Sequence, residues 1–280
     1  MNDIVYHTPY TMAEATALLA NDPQARVLAG GTDLIAKWKK THFFDMNLVD
    51  IRRIDELSII EEREGKLFIG AGVTMNRIRE DAAINEHFPI LAEAAGKVGS
   101  VQIRNLATIG GNSCNAAPSA DTVLPLIAYR AETSIVSCSG ERKCALKDFF
   151  TGPGKTVLEN GEILKGFSLA FPPAGTASAF VKHSRRPGMD LATVGVAMVL
   201  RKDGARLADI QAVLGAVGPV PIYVEGLETF IGEDIGALSK RIADTCTAAA
   251  RPITDVRGSK EYRTAMVRRS AALCLEKIAQ

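Results

Sequence analysis

The sequence predicts an α+β protein with two N-terminal α/β units and a C-terminal unit in which a three-stranded antiparallel sheet is followed by helices. Strand-like and helix-like apolar runs alternate up to about residue 171, and two of the predicted turns contain adjacent glycines. Beyond Pro172 and Pro173, three runs of strand length precede two long helical runs, which is typical of a separate α+β unit.

Composition places the chain among ordinary globular proteins. Its 280 residues can form two or three domains, and 47% hydrophobic with 23% charged residues excludes disorder. The net charge of +1 gives no reason to expect a nucleic acid partner. No apolar run approaches the roughly 18–20 residues needed to span a bilayer.

The cysteines and histidines do not form a metal-binding pattern. The five cysteines include no C-x-x-C pair, and the four histidines lack ligand spacing. An odd number of cysteines favours reduced thiols over a disulfide framework. Because the N-terminus also shows no signal-peptide pattern, we expect a cytoplasmic protein without its own metal site.

The first unit is predicted to be a β–α–β arrangement that ends near residue 56. Thr11 and Glu14 form a capping box, which predicts where the first helix begins. The expected elements are a helix near 11–21, a strand at 26–29, an amphipathic helix at 35–40 and a strand at 47–51.

The second unit, up to residue 173, is predicted to contain two hairpins and several short helices. Its expected elements are strands at 58–61 and 66–70, helices after Thr74 and at 89–98, a helix following Asp121, strands at 134–138 and 142–144, and a strand from 162 toward 171. The third unit should hold strands at 177–183, 192–201 and 210–217 and helices at 237–250 and 259–278, the second of which is predicted to be capped by Ser259 after Gly258.

Two glycine pairs indicate a binding site. Gly30-Gly31 follows an apolar strand, and Gly110-Gly111 precedes a polar run that leads to Asp121. Glycine-rich turns with free amides suit a phosphate, and an acidic residue suits a sugar hydroxyl. An ordinary tight loop before a helix is the alternative for each segment, but two such segments favour one ligand with a diphosphate.

Two common nucleotide motifs are excluded. Neither glycine pair fits G-x-G-x-x-G, so a Rossmann site is not predicted. The segment Gly154-Lys155-Thr156 resembles the end of a P-loop, but Phe149 stands where that motif requires glycine. An ATPase is therefore not expected.

The segments AGGTDL and QIRNLATIGGN, followed by Pro118 and Asp121, resemble the FAD-binding medium subunits of the molybdenum hydroxylases. That family includes xanthine dehydrogenase and carbon monoxide dehydrogenase. The resemblance extends over essentially the whole chain. It implies a PCMH-type FAD-binding fold in residues 1–56 and 57–173, with residues 174–280 covering the flavin.

The resemblance also implies which residues bind FAD. The first diphosphate segment would be formed by Leu28, Ala29, Gly30, Gly31, Thr32, Asp33 and Leu34. The second would be formed by Thr108, Ile109, Gly110, Gly111 and Asn112, with Asn115 beside it. Asp121 matches an acidic residue that binds cofactor hydroxyls in the family. Leu164 matches a position whose backbone contacts the isoalloxazine edge, and Lys182 matches a basic residue near the pyrimidine side of the flavin.

Leu191 lies in a predicted loop over the flavin ring at 185–192, where some relatives have a tyrosine that cannot be carried over to this chain. Simpler alternatives remain for two of the residues. Lys182 could be a solvated strand lysine, and Leu164 could be a core residue. No catalytic nucleophile–base arrangement is visible, and none is expected.

The function implied by the resemblance is electron transfer. A large molybdopterin-containing subunit would act on the substrate, and a small subunit with 2Fe–2S clusters would exchange electrons with FAD on this chain. The acceptor could be NAD, and the assembly is expected to be a dimer of heterotrimers. The alternatives are a stand-alone flavoprotein oxidoreductase and a scaffold that has lost its flavin.

Overall fold

The computed structural model describes residues 5–41, 47–186 and 188–279. The described residues form four sheets, of which the smallest is the two-stranded pair of residues 150–152 and 155–156. Helices pack against the three larger sheets, which confirms the α+β class. Pro187, part of the predicted loop over the flavin, lies outside the described residues.

The strands of the described chain are β1 (Val5–His7), β2 (Arg26–Leu28), β3 (Asn47–Asp50), β4 (Ile60–Arg63), β5 (Lys66–Gly70), β6 (Glu132–Ser137), β7 (Gly140–Ala145), β8 (Phe150–Gly152), β9 (Lys155–Thr156), β10 (Ile163–Ala170), β11 (Thr176–His183), β12 (Val194–Asp203), β13 (Arg206–Gly215) and β14 (Ile222–Tyr223). The α-helices are α1 (Met12–Asn21), α2 (Leu34–Thr41), α3 (Met75–Glu80), α4 (Ala82–His87), α5 (Pro89–Gly96), α6 (Val101–Arg104), α7 (Ile109–Cys114), α8 (Val123–Ala128), α9 (Ser239–Ala249) and α10 (Lys260–Ala279). Short 3-10 helices lie at Asp55–Leu57, Leu146–Asp148, Leu227–Phe230 and Ile235–Ala237.

The first sheet is parallel, with the order β1-β3-β2. Helix α1 begins as predicted, because the Thr11 hydroxyl accepts a hydrogen bond from the Glu14 amide. Strand β2 and helix α2 flank the first glycine pair, so this segment is a strand–loop–helix unit as expected. The loop therefore starts at the carboxyl end of a parallel strand.

A buried carboxylate holds the end of the first sheet. Asp50 ends β3 and accepts two hydrogen bonds from the Arg52 guanidinium, at 2.9 and 2.7 Å, and one from the Tyr6 hydroxyl. Burial favours the neutral acid, but the hydrogen bonds from Arg52 and Tyr6 outweigh it and lower the pKa of Asp50 to about 2. Because Asp50 pairs with Leu28 across the sheet, this cluster lies beside the strand that precedes the glycine loop.

The second sheet is antiparallel, with the order β4-β5-β10-β6-β7. Both predicted hairpins are present, one joining β4 to β5 and the other joining β6 to β7. Strand β10 pairs with β5 and β6 and thereby joins the two hairpins into one sheet. The short helices α3 to α8 connect the hairpins.

The third sheet corrects the prediction of three strands. Strands β11, β12 and β13 follow the predicted order, but β14 adds a fourth, two-residue strand at the edge. A run of two residues is too short to produce a recognisable alternating pattern. Helices α9 and α10 complete the unit, and the Ser259 hydroxyl accepts a hydrogen bond from the Tyr262 amide, as its predicted capping role requires.

Two hydrophobic cores support the chain. One core is continuous through the first two sheets and includes Ala15, Val49, Ile69 and Phe167. The other lies between the third sheet and helices α9 and α10. The division into residues 1–56, 57–173 and 174–280 stays a prediction, since a shared core does not define a boundary between the first two units.

The first two units meet through backbone at Gly30. A Cβ on Gly30 would lie 2.0 Å from the carbonyl oxygen of Leu106 and 3.0 Å from the Cα of Ala107. Any other side chain would therefore separate the two segments. This contact places the first glycine loop against the chain that leads into α7.

The C-terminal unit is joined to the second unit by an apolar contact and an ion pair. Leu124 fits against Gly195 and Gly215, where an added Cβ would come within 2.7 Å of its side chain. Nearby, the Lys182 ammonium donates to the Asp121 carboxylate at 2.6 Å and to the carbonyl of Lys97 at 3.1 Å. Both charged side chains are more than nine-tenths buried, so the ion pair is protected from water.

Gly30→Ala should lower the free energy of unfolding by about 1–3 kcal/mol or more, because its methyl group would overlap the Leu106 carbonyl. Urea unfolding measures the effect. Gly188→Ala is the matched control, since a Cβ there meets nothing within 4 Å. Equal stabilities of the two variants would contradict the proposed backbone contact.

Asp50→Asn should make the protein less stable at pH 7 by about 1–2 kcal/mol, which allows for the partial exposure of Arg52. The folded-state pKa of Asp50 lies below the ordinary value of 3.8. Its stabilisation is therefore present above pH 3.8 and is lost as the pH falls through about 2. The free energy of unfolding, measured at a series of pH values between 7 and 2, should fall less steeply in the acid range for the variant than for the natural chain. Parallel pH dependences of the two proteins would refute this role.

Candidate functional site

A cleft with a volume of about 330 Å³ lies between the two glycine segments. Gly30 and Gly31 line it on one side, and Gly110 and Gly111 line it on the other. The two pairs are about 80 residues apart in the chain and meet because the backbone at Gly30 packs on Leu106. The cleft is therefore formed where the first two units join.

The first glycine segment presents unused amides. Among the described residues, none accepts a hydrogen bond from the backbone N–H groups of residues 30–34, and all five residues line the cleft. Gly31 has a φ of 70°, a left-handed conformation that favours glycine. Successive N–H groups that lack acceptors form a concave site for an anion, and helix α2 directs its positive end to the same place.

The second glycine segment is different, and the expectation of free amides there is wrong. Residues 109–114 form helix α7, and the amides of Ile109 and Gly110 donate to the carbonyls of Val73 and Ala71. The Gly111 amide donates to the Thr108 hydroxyl, which caps the helix. This segment therefore presents side chains and helix surface to the cleft.

Gly110 allows helix α7 to pack closely against Ala71. A Cβ on Gly110 would lie 2.5 Å from the Cβ of Ala71 and 2.6 Å from its carbonyl oxygen. A branched side chain at this position would therefore meet the protein's own backbone. It would first displace the loop that carries Ala71.

The structure brings most of the predicted site residues to one cleft. Those that line it are Ala29, Gly30, Gly31, Thr32, Asp33, Leu34, Thr108, Gly110, Gly111, Asn112, Asn115 and Leu164. Leu28 and Ile109 are buried in the core behind the two segments. Leu191 is 50% exposed and does not line the cleft.

Asp121 and Lys182 also lie outside the cleft lining and contact each other. Burial of the carboxyl raises the pKa of Asp121 to about 6, although the neighbouring Lys182 ammonium favours the charged form. Their individual roles toward a cofactor stay predictions. The observed contact attaches strand β11 to the segment that precedes α8.

Several cleft residues were not predicted. These are Arg26, Val27, Lys37, Ile51, Ala71, Val98, Ile103, Ala107, Cys114, Leu158, Glu162 and Ile163. Lys37 could have been found, because it lies four residues after Asp33, on a helix that opens at the glycine loop. The apolar residues carry no such signal, since only the packing of distant segments brings them to the cleft.

The thiol and one of the carboxylates in the lining are held in defined states by their surroundings. Burial raises the pKa of the Cys114 thiol to about 12, so the thiol stays protonated near neutral pH. The Glu162 carboxylate is bound by the Arg142 guanidinium through contacts of 2.6 and 2.7 Å. Among the described residues, no group of three or more Asp, Glu, His or Cys side chains could hold a metal ion.

FAD fits this site on two grounds. The five N–H groups of residues 30–34 match a diphosphate, which needs donors rather than acceptors. The opposite wall offers polar side chains at Thr108, Asn112 and Asn115 that can contact hydroxyl and ring groups.

None of the described helices combines the length and apolar character required for crossing a bilayer.

Comparison with known families covers nearly the whole chain. Residues 2–172 match the FAD binding domain in molybdopterin dehydrogenase, and residues 179–278 match the CO dehydrogenase flavoprotein C-terminal domain. The chain is 36% identical over 268 residues to the xanthine dehydrogenase FAD-binding subunit of Escherichia coli O157:H7, covering 94% of this chain and 91% of that one. It is 34% identical over 268 residues to the carbon monoxide dehydrogenase medium chain of Hydrogenophaga pseudoflava, covering 93% and 92% of the two chains.

Solved structures agree with the sequence matches. Carbon monoxide dehydrogenase from Hydrogenophaga pseudoflava lacking the Mo-pyranopterin moiety gives a TM-score of 0.94 at 32% identity, covering 99% of this chain and 97% of that one. Quinoline 2-oxidoreductase from Pseudomonas putida 86 gives a TM-score of 0.92 at 30% identity, with the same coverage. The cleft, the two family matches and these similarities show that the chain belongs to the FAD-binding medium subunits of the molybdenum hydroxylases, and that it is an oxidoreductase subunit with FAD as its cofactor.

Proposed function

We propose that this chain passes electrons between 2Fe–2S clusters on a partner chain and an acceptor such as NAD, through FAD held in the cleft. The observation that carries this proposal is the row of five backbone N–H groups of residues 30–34 without an acceptor in the described chain. Such a row suits the diphosphate of a dinucleotide. The membership of the chain in a family of FAD-binding subunits supports the same ligand.

Different residues of the cleft contact different parts of the dinucleotide. The N–H groups of residues 30–34 hold the diphosphate, and the side chains of Thr108, Asn112 and Asn115 contact the dinucleotide from the opposite wall. Leu28 and Ile109 support these segments from the core. A backbone contact of Leu164 with the isoalloxazine edge and a place for Leu191 in the loop over the ring stay predictions.

The electron chemistry belongs to the cofactor, since bound FAD can accept and release electrons in single or paired steps. The protein fixes the orientation of the ring and its surroundings. Asp121 and Lys182 act in this scheme at the contact of the C-terminal unit with the second unit, where they form a buried ion pair. Direct contacts of Asp121 with cofactor hydroxyls and of Lys182 with the pyrimidine side stay predictions.

The partners in this proposal are a large molybdopterin-containing subunit and a small 2Fe–2S subunit, assembled as a dimer of heterotrimers in the cytoplasm. The relatives are named as a FAD-binding subunit and a medium chain, which supports a multi-subunit enzyme. In this arrangement the substrate is selected by the molybdenum subunit. The chain described here connects that reaction to the acceptor.

The decisive experiment compares the purified complex with this chain alone under anaerobic conditions. We expect one FAD for each copy of the chain in both samples. A substrate of the complex should bleach the flavin absorbance only when the partner chains are present, and NAD should restore the absorbance. Substrate turnover by the isolated chain would instead favour a stand-alone flavoprotein, and absence of FAD would contradict the proposal.

Gly31→Ala should weaken FAD binding at least tenfold, because alanine is strained at a φ of 70° and would rotate the N–H groups of the loop. Fluorescence titration of the flavin-free chain measures the affinity. Gly65→Ala is the matched control, since Gly65 has the same φ of 70° and an added Cβ there meets nothing within 4 Å. Equal loss of affinity in both variants would show that strain alone is responsible.

A further inference from the structure

Lys37 connects the two walls of the cleft. It lies on helix α2, which begins directly after the glycine loop, and its ammonium donates to the side-chain oxygen of Asn115 at 2.7 Å. Asn115 is the C-terminal cap of helix α7 on the opposite wall. Both residues line the cleft, so this hydrogen bond spans it from one glycine segment to the other.

Binding of an anionic diphosphate in the cleft is favoured by a positive charge close to it. The N–H groups of residues 30–34 donate hydrogen bonds but carry no net charge, whereas a diphosphate is an anion. The Arg26 guanidinium donates to the carbonyls of Pro23 and Ala25, at 3.2 and 3.0 Å, and the Glu162 carboxylate is bound by Arg142. These contacts leave the charge of Arg26 in place, and Asp33 adds a second carboxylate to the lining. Lys37 differs from the other charged residues in its position, because its ammonium reaches from the first glycine segment to Asn115 beside the second.

We propose that Lys37 supplies the positive charge that binds the diphosphate of the dinucleotide, and that Asn115 positions it; this inference rests on the proposed function. An ammonium has three donor hydrogens and can bind several acceptors at once, so Asn115 and phosphate oxygens can both be among them. A charge-assisted hydrogen bond is stronger than a neutral one. Lys37 therefore makes the cleft selective for flavins that carry a diphosphate.

Binding of FAD and of riboflavin separates a role of Lys37 in diphosphate binding from a role in the fold. FAD contains the diphosphate, whereas riboflavin has the same ring system without it. Loss of the lysine should weaken FAD binding and leave riboflavin binding unchanged. A lysine that only supported the fold would affect both ligands together.

The test uses the full chain stripped of flavin, with affinities for FAD and riboflavin measured by fluorescence titration. Lys37→Met should weaken FAD binding about 10- to 100-fold, which is the usual loss when a hydrogen bond to a charged group is removed. Lys37→Arg should restore much of the affinity, because it keeps the charge. Lys39→Met is the matched control, since Lys39 lies two residues further along the same exposed helix and does not line the cleft.

Salt and a double variant supply further readouts. Raising the salt concentration should weaken FAD binding by the natural chain more than by Lys37→Met. Salt screens the attraction between the Lys37 ammonium and the diphosphate, and the variant lacks that ammonium. Asn115→Ala should have a smaller effect than Lys37→Met. The double variant should lose less affinity for FAD than the sum of the two single losses, because Lys37 and Asn115 are hydrogen-bonded to each other.

Two results would overturn the role of Lys37. One is equal FAD affinity in Lys37→Met and Lys39→Met, and the other is a parallel loss of FAD and riboflavin binding in Lys37→Met. Both results leave FAD binding by the natural chain intact, so the proposed function would survive them. Failure of the natural chain to bind FAD would overturn both proposals.

Discussion

The close approach of two backbone segments at Gly30 is the constraint on which the site depends. Because Gly30 has no Cβ, the loop after β2 can lie directly on the carbonyl of Leu106. Gly110 allows a second approach of this kind, between helix α7 and Ala71. Together these contacts form a cleft whose walls come from two different units. The glycines therefore act first on the packing of the protein, and the ligand site is a consequence of that packing.

The two walls of the cleft differ in their hydrogen bonding. In the first segment the N–H groups of residues 30–34 have no acceptor among the described residues, so they are available to an anion. In the second segment the amides of Ile109, Gly110 and Gly111 donate hydrogen bonds within the protein, so they are not available to a ligand. A ligand can therefore be held by donors on one side and oriented by side chains on the other. Such a site binds and orients a cofactor, in agreement with the protonated state of Cys114 and the family to which the chain belongs.

The C-terminal unit is fixed to this site by contacts of two kinds. Leu124 packs in the hollow left by Gly195 and Gly215, which is shape complementarity between apolar groups. Asp121 and Lys182 form an ion pair that burial protects from solvent. Buried ion pairs add less stability than their geometry suggests, but an arrangement that separates the two partners leaves a buried charge uncompensated. The ion pair thus favours a single position of strand β11 relative to the FAD-binding units.

Local signals in the sequence determined the α+β class, the capped helices at Thr11 and Ser259, both hairpins, and the two segments that form the cleft. They were sufficient because capping, alternation and glycine pairs act within a few residues. The tertiary structure alone decided which partners these groups meet: Gly110 contacts Ala71, Asp121 contacts Lys182, and Lys37 reaches Asn115. It also decided that the amides of α7 are occupied and that a fourth strand completes the third sheet. These features depend on residues that are distant in the chain, and no local pattern specifies which of them will meet.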